Sequence, residues 1–284
     1  MITPLRRLPR PPHADLPVGS ADVLPLLAAT AHPHRAALRT RTRTVTFAEL
    51  DRDISRLAFG IRQLIGGDGL PVVVSAALGL DFPTAFYAVL RSGNVTAPVS
   101  PRMPAETFAA LLDTTGARAA VLTRAMYERV RPVLAGHAAL EQVLLLDAPA
   151  EAGQLTCAEL ATQGGLLVEP RDRDENEVAT VVLGAGRSAG LTHHELKARA
   201  AAVAAADGLG EGSVILNATP SYHPTHLAAG IISGATQVLY GNPDPAAAVR
   251  EAEATGASHL CVLGDDAATV RTGHTTLTRE AIAS

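Results

Sequence analysis

The chain has 284 residues, 47% hydrophobic and 18% charged, which supplies one large core or two modest ones and excludes a disordered chain. A formal charge of −4 and 3% aromatic residues, with no Trp, provide neither the basic field nor the stacking surface that a nucleic-acid partner needs. No 18 consecutive apolar residues occur, and the Pro/Arg-rich start Met1-Ile-Thr-Pro-Leu-Arg-Arg-Leu lacks a signal-peptide core, so a cytoplasmic protein without a membrane partner is predicted, with residues 1–20 as a flexible leader.

Strand-like and helix-like runs alternate along the chain, the pattern of helices on both faces of a mostly parallel sheet, so the fold class is α/β. Thr46 and Glu49 stand in capping-box spacing ahead of a helix with Leu50, Ile54, Leu57, Ile61 and Leu64 on one face, stopped by Gly66-Gly67. Val72-Val-Val-Ser reads as a buried strand. Asp81 is placed to cap the helix through Phe86, Val89 and Leu90, which Gly93 ends. A strand at Val95–Val99, a helix at 105–114, a strand at 119–122, a helix at 126–134 and a strand at Val143–Asp147 follow.

The mixed-charge run Arg171-Asp-Arg-Asp-Glu-Asn-Glu marks a subdomain boundary. Beyond it come a strand at 179–183, a Gly-rich turn, a helix from Thr192 to Ala206, a strand at 214–217, a helix near 227–232, a strand at 237–240, a helix at 245–254 and a strand at 259–263. Two consecutive doubly wound subdomains are therefore expected, residues 21–170 and 171–270, with a polar and disordered tail at 271–284. Cys157 and Cys261 have no histidine or acid at metal-site spacing beside them and read as bystanders. Every basic residue is an arginine except Lys197, so a mechanism that needs an amine has one candidate.

Thr46-Phe-Ala-Glu-Leu, the stretch from Phe86-Tyr-Ala-Val-Leu-Arg-Ser-Gly to Pro104-Ala-Glu, and Thr115-Gly-Ala-Arg-Ala-Ala-Val-Leu-Thr form an ordered series of signatures. The chain resembles the adenylate-forming enzymes: acyl-CoA synthetases, aryl-acid ligases, luciferases and peptide-synthetase adenylation domains. Gly190-Leu-Thr-His-His-Glu-Leu is similar to the family's element after its phosphate loop. Pro220-Ser-Tyr-His223-Pro, Gly234-Ala-Thr-Gln-Val-Leu and His259-Leu-Cys-Val-Leu-Gly resemble segments around its acyl pocket. The likeness runs from roughly residue 20 to residue 265 and implies the N-terminal part of that fold, without its β-barrel and C-terminal lid.

The family's phosphate loop, Thr-Ser-Gly-Thr-Thr-Gly-x-Pro-Lys-Gly, corresponds here to Gly184, Ala185, Gly186, Arg187 and Ser188, followed by Ala189. One hydroxyl remains and the lysine is missing, while Lys197 falls on the following helix. The chain also stops before the family's magnesium-binding acid, ribose-binding aspartate and lid lysine. Since adenylation is mostly positioning and charge neutralisation, ATP and magnesium binding are expected to be lost or weak, and no cofactor is predicted.

The same residues match the dinucleotide fingerprint G-x-G-x-x-A, which would require a helix to open within the turn. His193 and His194, in the first turn after a Thr192–Glu195 capping box, are expected to face solvent. His223 and His226 have H-x-x-H spacing, but Pro224 argues that they sit on a turn, so no metal site is predicted. The resemblance makes Tyr222 and His223 pocket-lining residues. His223 and Ser188 are the catalytic candidates, with Ser221 weaker, and no G-x-S-x-G elbow is present.

The reading is a pseudoenzyme: a truncated acyl-CoA synthetase-like protein that has lost adenylation and serves a biosynthetic pathway by binding an acyl or aryl ligand, a carrier protein or a partner enzyme. One alternative is an enzyme with repurposed chemistry in the acyl cleft, or a ligase completed by another chain; the second is a dinucleotide-binding protein. Because the family packs its first units on a β-barrel not encoded here, an apolar face covered in a homodimer or hetero-complex is also expected.

Overall fold

The computed structural model describes residues 16–66, 69–147, 154–163, 168, 170, 173–184, 187–242, 244–262, 271–272 and 275–276. Most of the expected leader and tail thus lies outside the described residues, as do Ala185 and Gly186 and the side chains of Arg187 and Ser188. A 3-10 turn at Ala21–Val23 and α1 (Leu24–Ala31) open the fold, followed by the hairpin β1 (Ala36–Arg39) and β2 (Thr44–Thr46). Next, α2 (Phe47–Ile65) starts on the expected capping box: Thr46 Oγ1 accepts from Glu49 N–H, and Glu49 Oε2 accepts from Thr46 N–H at 2.8 Å.

An alternating series follows: β3 (Pro71–Ser75), α3 (Asp81–Arg91), β4 (Val95–Val99), α4 (Ala105–Thr115), β5 (Ala119–Leu122), α5 (Arg124–Leu134), β6 (Gln142–Leu145), β7 (Leu155–Thr156) and α6 (Cys157–Gln163). Asp81 is the first residue of α3 and its side chain makes no cap, whereas α5 is capped by Thr123, whose Oγ1 accepts from Met126 N–H. The second half adds β8 (Val178–Gly184), β9 (Arg187–Thr192), α7 (His193–Ala206), β10 (Val214–Ala218), α8 (Pro224–Ile232), β11 (Thr236–Leu239), α9 (Pro245–Thr255) and β12 (His259–Val262).

Two large sheets result, mostly parallel as expected, in orders β7-β6-β5-β3-β4-β8-β9 and β12-β10-β11-β1-β2, and within the expected tail β13 (Arg271–Thr272) and β14 (Thr275–Thr276) form a separate antiparallel pair. Alternate residues of β3 serve different cores. Val72 and Val74 join the cluster that includes Phe47, Phe82, Phe86, Leu196 and Leu227, while Val73 packs with Phe108, Leu112, Met126 and Val130 of α4 and α5. In the five-stranded sheet, Leu239 belongs to the first cluster and Leu216, Val238 and Leu260 to a third, closed by Ala248 and Ala252 of α9. The largest core therefore lies between the two sheets.

The sheets do not divide the chain at residue 170. The early hairpin joins the later sheet through parallel pairing of β1 with β11, Leu38 opposite Gln237. Conversely β8, beyond the expected boundary, pairs with β4 of the earlier sheet at Thr96–Thr180. The mixed-charge run marks a solvated connection, but strand pairing, which it does not encode, assigns membership.

Candidate functional site

The second correction concerns the Gly-rich turn. It does not open a helix: β8 and β9 form an antiparallel hairpin, with Gly184 paired to Arg187 and Val181 to Gly190, so two residues separate the strands. The helix expected after the turn begins only at α7, capped by Thr192, whose Oγ1 accepts from Glu195 N–H at 3.1 Å. Five residue steps of extended strand put its N-terminus about 17 Å from the turn, at ~3.4 Å per residue. A helix dipole acts within its first turn, so α7 adds no field at Gly184 or Arg187. The G-x-G-x-x-A reading needs strand, turn and helix in contact; the strand–turn–strand arrangement overturns it.

Lys197 lies on α7, fully buried, and its ammonium is spent. It donates to Pro17 O at 2.6 Å, to Gly19 O and to Glu175 Oε1 at 2.9 Å. The Lys197 bond, with further donors from His194 and Gly19 N–H, holds the Glu175 carboxyl below its ordinary range. His193, expected in solvent, is buried; its Nδ1 accepts from Ala21 N–H at 3.1 Å, and burial lowers its pKa. His194 alone of that pair is exposed, near Glu175 at 3.3 Å. A capping pattern specifies where a helix starts, not which face of its first turn meets a neighbour.

The histidines of the Tyr222-His223-Pro segment do not sit on an irregular turn. His223 is the N-cap of α8, Pro224 its first residue, and His226 lies in the first turn. Proline is compatible with that place because an N1 residue needs no N–H. Their rings pack at 5.6 Å between centroids. His223 Nδ1 accepts from Thr225 N–H at 3.2 Å, and burial, the neighbouring His226 and Arg199 push its pKa down to about 4. It is thus neutral near pH 7 with its Nδ1 lone pair engaged, a poor general base.

Tyr222 is a core residue, packed on Phe82 and hydrogen-bonded through its hydroxyl to Gln237 Oε1. Its N–H donates to Ala76 O at 2.9 Å, joining the loop after β10 to the end of β3, so the carboxyl ends of the two sheets meet there. In parallel sheets this is the end where ligands bind.

Sequence spacing missed a neighbour at this end. Cys261 Sγ lies 3.5 Å from His226 Nδ1, although the two are 35 residues apart. Asn217, opposite Cys261 across β10 and β12, is buried with an amide nitrogen that has no partner among the described residues. Burial, then the Asp207 charge, raises the Cys261 thiol to about 11, so the pair is a thiol beside an imidazole and not an ion pair. Cys157 is buried and pushed up to about 12, as expected of a bystander. Among the described residues no three His, Cys, Asp or Glu side chains are grouped to hold a metal, and no helix is long and apolar enough to cross a membrane.

The AMP-binding enzyme family matches residues 27–265. The chain belongs to that family. It is 33% identical over 101 residues to the phosphinothricin tripeptide synthetase PhsC of Streptomyces viridochromogenes, and 29% identical over 92 residues to surfactin synthase subunit 1 of Bacillus subtilis. These stretches are 36% and 32% of this chain but 9% and 3% of those proteins. Among solved structures, apo MbtA of Mycobacterium smegmatis superposes with a TM-score of 0.78 at 24% identity, over 86% of this chain and 48% of that one. The long-chain-fatty-acid-CoA ligase FadD1 of Archaeoglobus fulgidus gives 0.78 at 22% identity, over 87% and 52%. At these identities the structures share the fold, and this chain spans about half their length.

Proposed function

We propose that this member of the AMP-binding family has given up ATP-dependent adenylation and serves as a binding or accessory protein for a small acyl or aryl acid, a carrier protein or a partner enzyme in biosynthesis. The observation that carries this reading is the two-residue connection of β8 to β9, with the next helix N-terminus along the chain at the far end of a six-residue strand. A polyphosphate of three to four negative charges needs converging N–H groups or cations. The one lysine is buried and bound to Pro17, Gly19 and Glu175, so it is not available to neutralise a polyphosphate, which supports weak or lost nucleotide binding. The names of the similar proteins, a tripeptide synthetase and a long-chain-fatty-acid-CoA ligase, favour an acid as the partner chemistry.

The candidate ligand-binding residues are those around Gly184 to Ser188 together with His223, which lies with the Cys261–His226 pair near the end where the two sheets meet; Tyr222, buried in the core, supports that end from behind. Since this chain spans about half of its structural relatives, a ligase completed by a second polypeptide is the competing reading. ATP–pyrophosphate exchange with a panel of aryl and fatty acids separates the two. The purified chain is expected to show background exchange and no thermal shift with magnesium-ATP, while an acid that binds raises the melting temperature. Exchange above background by this chain, or a nucleotide-dependent shift, overturns the proposal.

A further inference from the structure

The segment ahead of α1 is held by side chains from far along the chain. Gly19 N–H donates to Glu175 Oε1 at 2.8 Å, Lys197 binds Pro17 O, Gly19 O and Glu175, and Ala21 N–H donates to His193 Nδ1 at 3.1 Å. Arg91, itself buried and paired with Asp51 at 2.8 Å, donates to Asp22 O at 2.9 Å. Nδ1 of His193 accepts, so its ring proton sits on Nε2, which is buried and has no partner among the described residues. No hydrogen-bond acceptor among the described residues meets that ring if it takes a second proton. The added N–H would face the Ala21 N–H, donor against donor, in a site closed to water.

We propose that residues 17–22 form an acid-released strap, clamped to α7 at neutral pH by the Ala21–His193 and Lys197–Glu175 contacts and let go when His193 is protonated. The charged groups around His193 come from three elements: Asp22 of the 3-10 turn, Arg173 and Glu177 before β8, and Lys197 one turn along α7. Asp22 and Glu177 favour the imidazolium, Arg173 and Lys197 oppose it, and burial outweighs them all in keeping the ring neutral. A histidine whose native pKa is depressed stabilises the closed form fully above its free value of about 6.5, and that contribution is lost as pH falls through the native value. Glu175, also depressed, acts in the same direction but only below its free value near 4.5, so a response between pH 7.5 and 5.0 reports His193. Release would withdraw Pro17 from the groove that it lines with Leu24, Leu27, His32, Glu211 and Ile231.

Amide hydrogen exchange of residues 19–23, expressed as protection factors so that the intrinsic rate cancels, tests this on the full chain. Protection is expected to fall several-fold between pH 7.5 and pH 5.0, toward a ceiling of about thirtyfold set by a released histidine titrating near 6.5. In H193Q, where an amide oxygen can take the Ala21 N–H but cannot be protonated, the fall should vanish; in K197M protection should be low at both pH values. NMR titration of the His193 ring gives a second readout that needs no variant, with a midpoint expected below 6.5. Equal wild-type protection at the two pH values, an unshifted His193 titration, or a pH response retained in H193Q would each overturn the strap.

Discussion

At the scale of single residues, burial rather than residue type decides which reactive groups are usable. Lys197 is an amine by sequence and a structural tie in the fold, because three oxygen acceptors surround it. The two thiols follow the same rule. Cys157 and Cys261 are held protonated by burial, at about 12 and about 11, and a thiol reacts through its thiolate. Iodoacetamide at pH 7.5 is therefore expected to leave both unmodified in the native protein and to label both after denaturation, as read by peptide mass spectrometry. Rapid native labelling of Cys261 would mean that His226, 3.5 Å away, draws off its proton and that the thiol is an active nucleophile.

Contacts between elements turn on close approaches that no periodicity announces. Gly60 of α2 meets α6 so tightly that an added Cβ would lie 2.4 Å from Leu160 Cγ and 2.9 Å from the Leu160 carbonyl oxygen. G60A gains helix propensity of about 1 kcal/mol yet forces two packed helices apart, an overpacking cost of about 1–3 kcal/mol. The net expectation is a loss of up to about 2 kcal/mol, read as a lower urea midpoint with an unchanged slope. An unchanged midpoint would mean that α6 moves freely on α2. The α2 and α7 capping boxes, by contrast, lie within four residues of sequence and were legible there, because the bonded groups are local.

For the whole molecule, the exchange of strands between segments makes the two sheets interdependent. A fragment of residues 21–170 carries β1 and β2 without β11, and a fragment of 171–270 carries β8 and β9 without β4. Each would leave a parallel strand edge and one side of the main core open, which costs more than a domain's usual margin of stability. Expressed singly, both fragments are expected to give collapsed, poorly dispersed NMR spectra, and together to restore the dispersed spectrum of the intact chain. A well-dispersed spectrum from either alone would restore the boundary at residue 170. The broad apolar face expected from the resemblance is not visible: the large hydrophobic side chains exposed among the described residues are Val18, Leu27 and Val178.

The sequence by itself determined the α/β class, most helices and strands, both capping boxes and the family, since these rest on local hydrogen bonding, hydrophobic period and ordered signatures. It also contained the departures at Gly184 to Ala189, visible as missing residue types. Tertiary structure alone decided that the Gly-rich turn joins two strands, that His193 is buried while His194 is not, that Lys197 clamps the segment ahead of α1, and that Cys261 meets His226. The first depends on pairing of β8 with β9, and the other three on contacts between residues from 35 to 180 positions apart, as in the Cys261–His226 and Lys197–Pro17 contacts. Local pattern specifies which face of an element is apolar; the free energy of the assembled core specifies what that face meets.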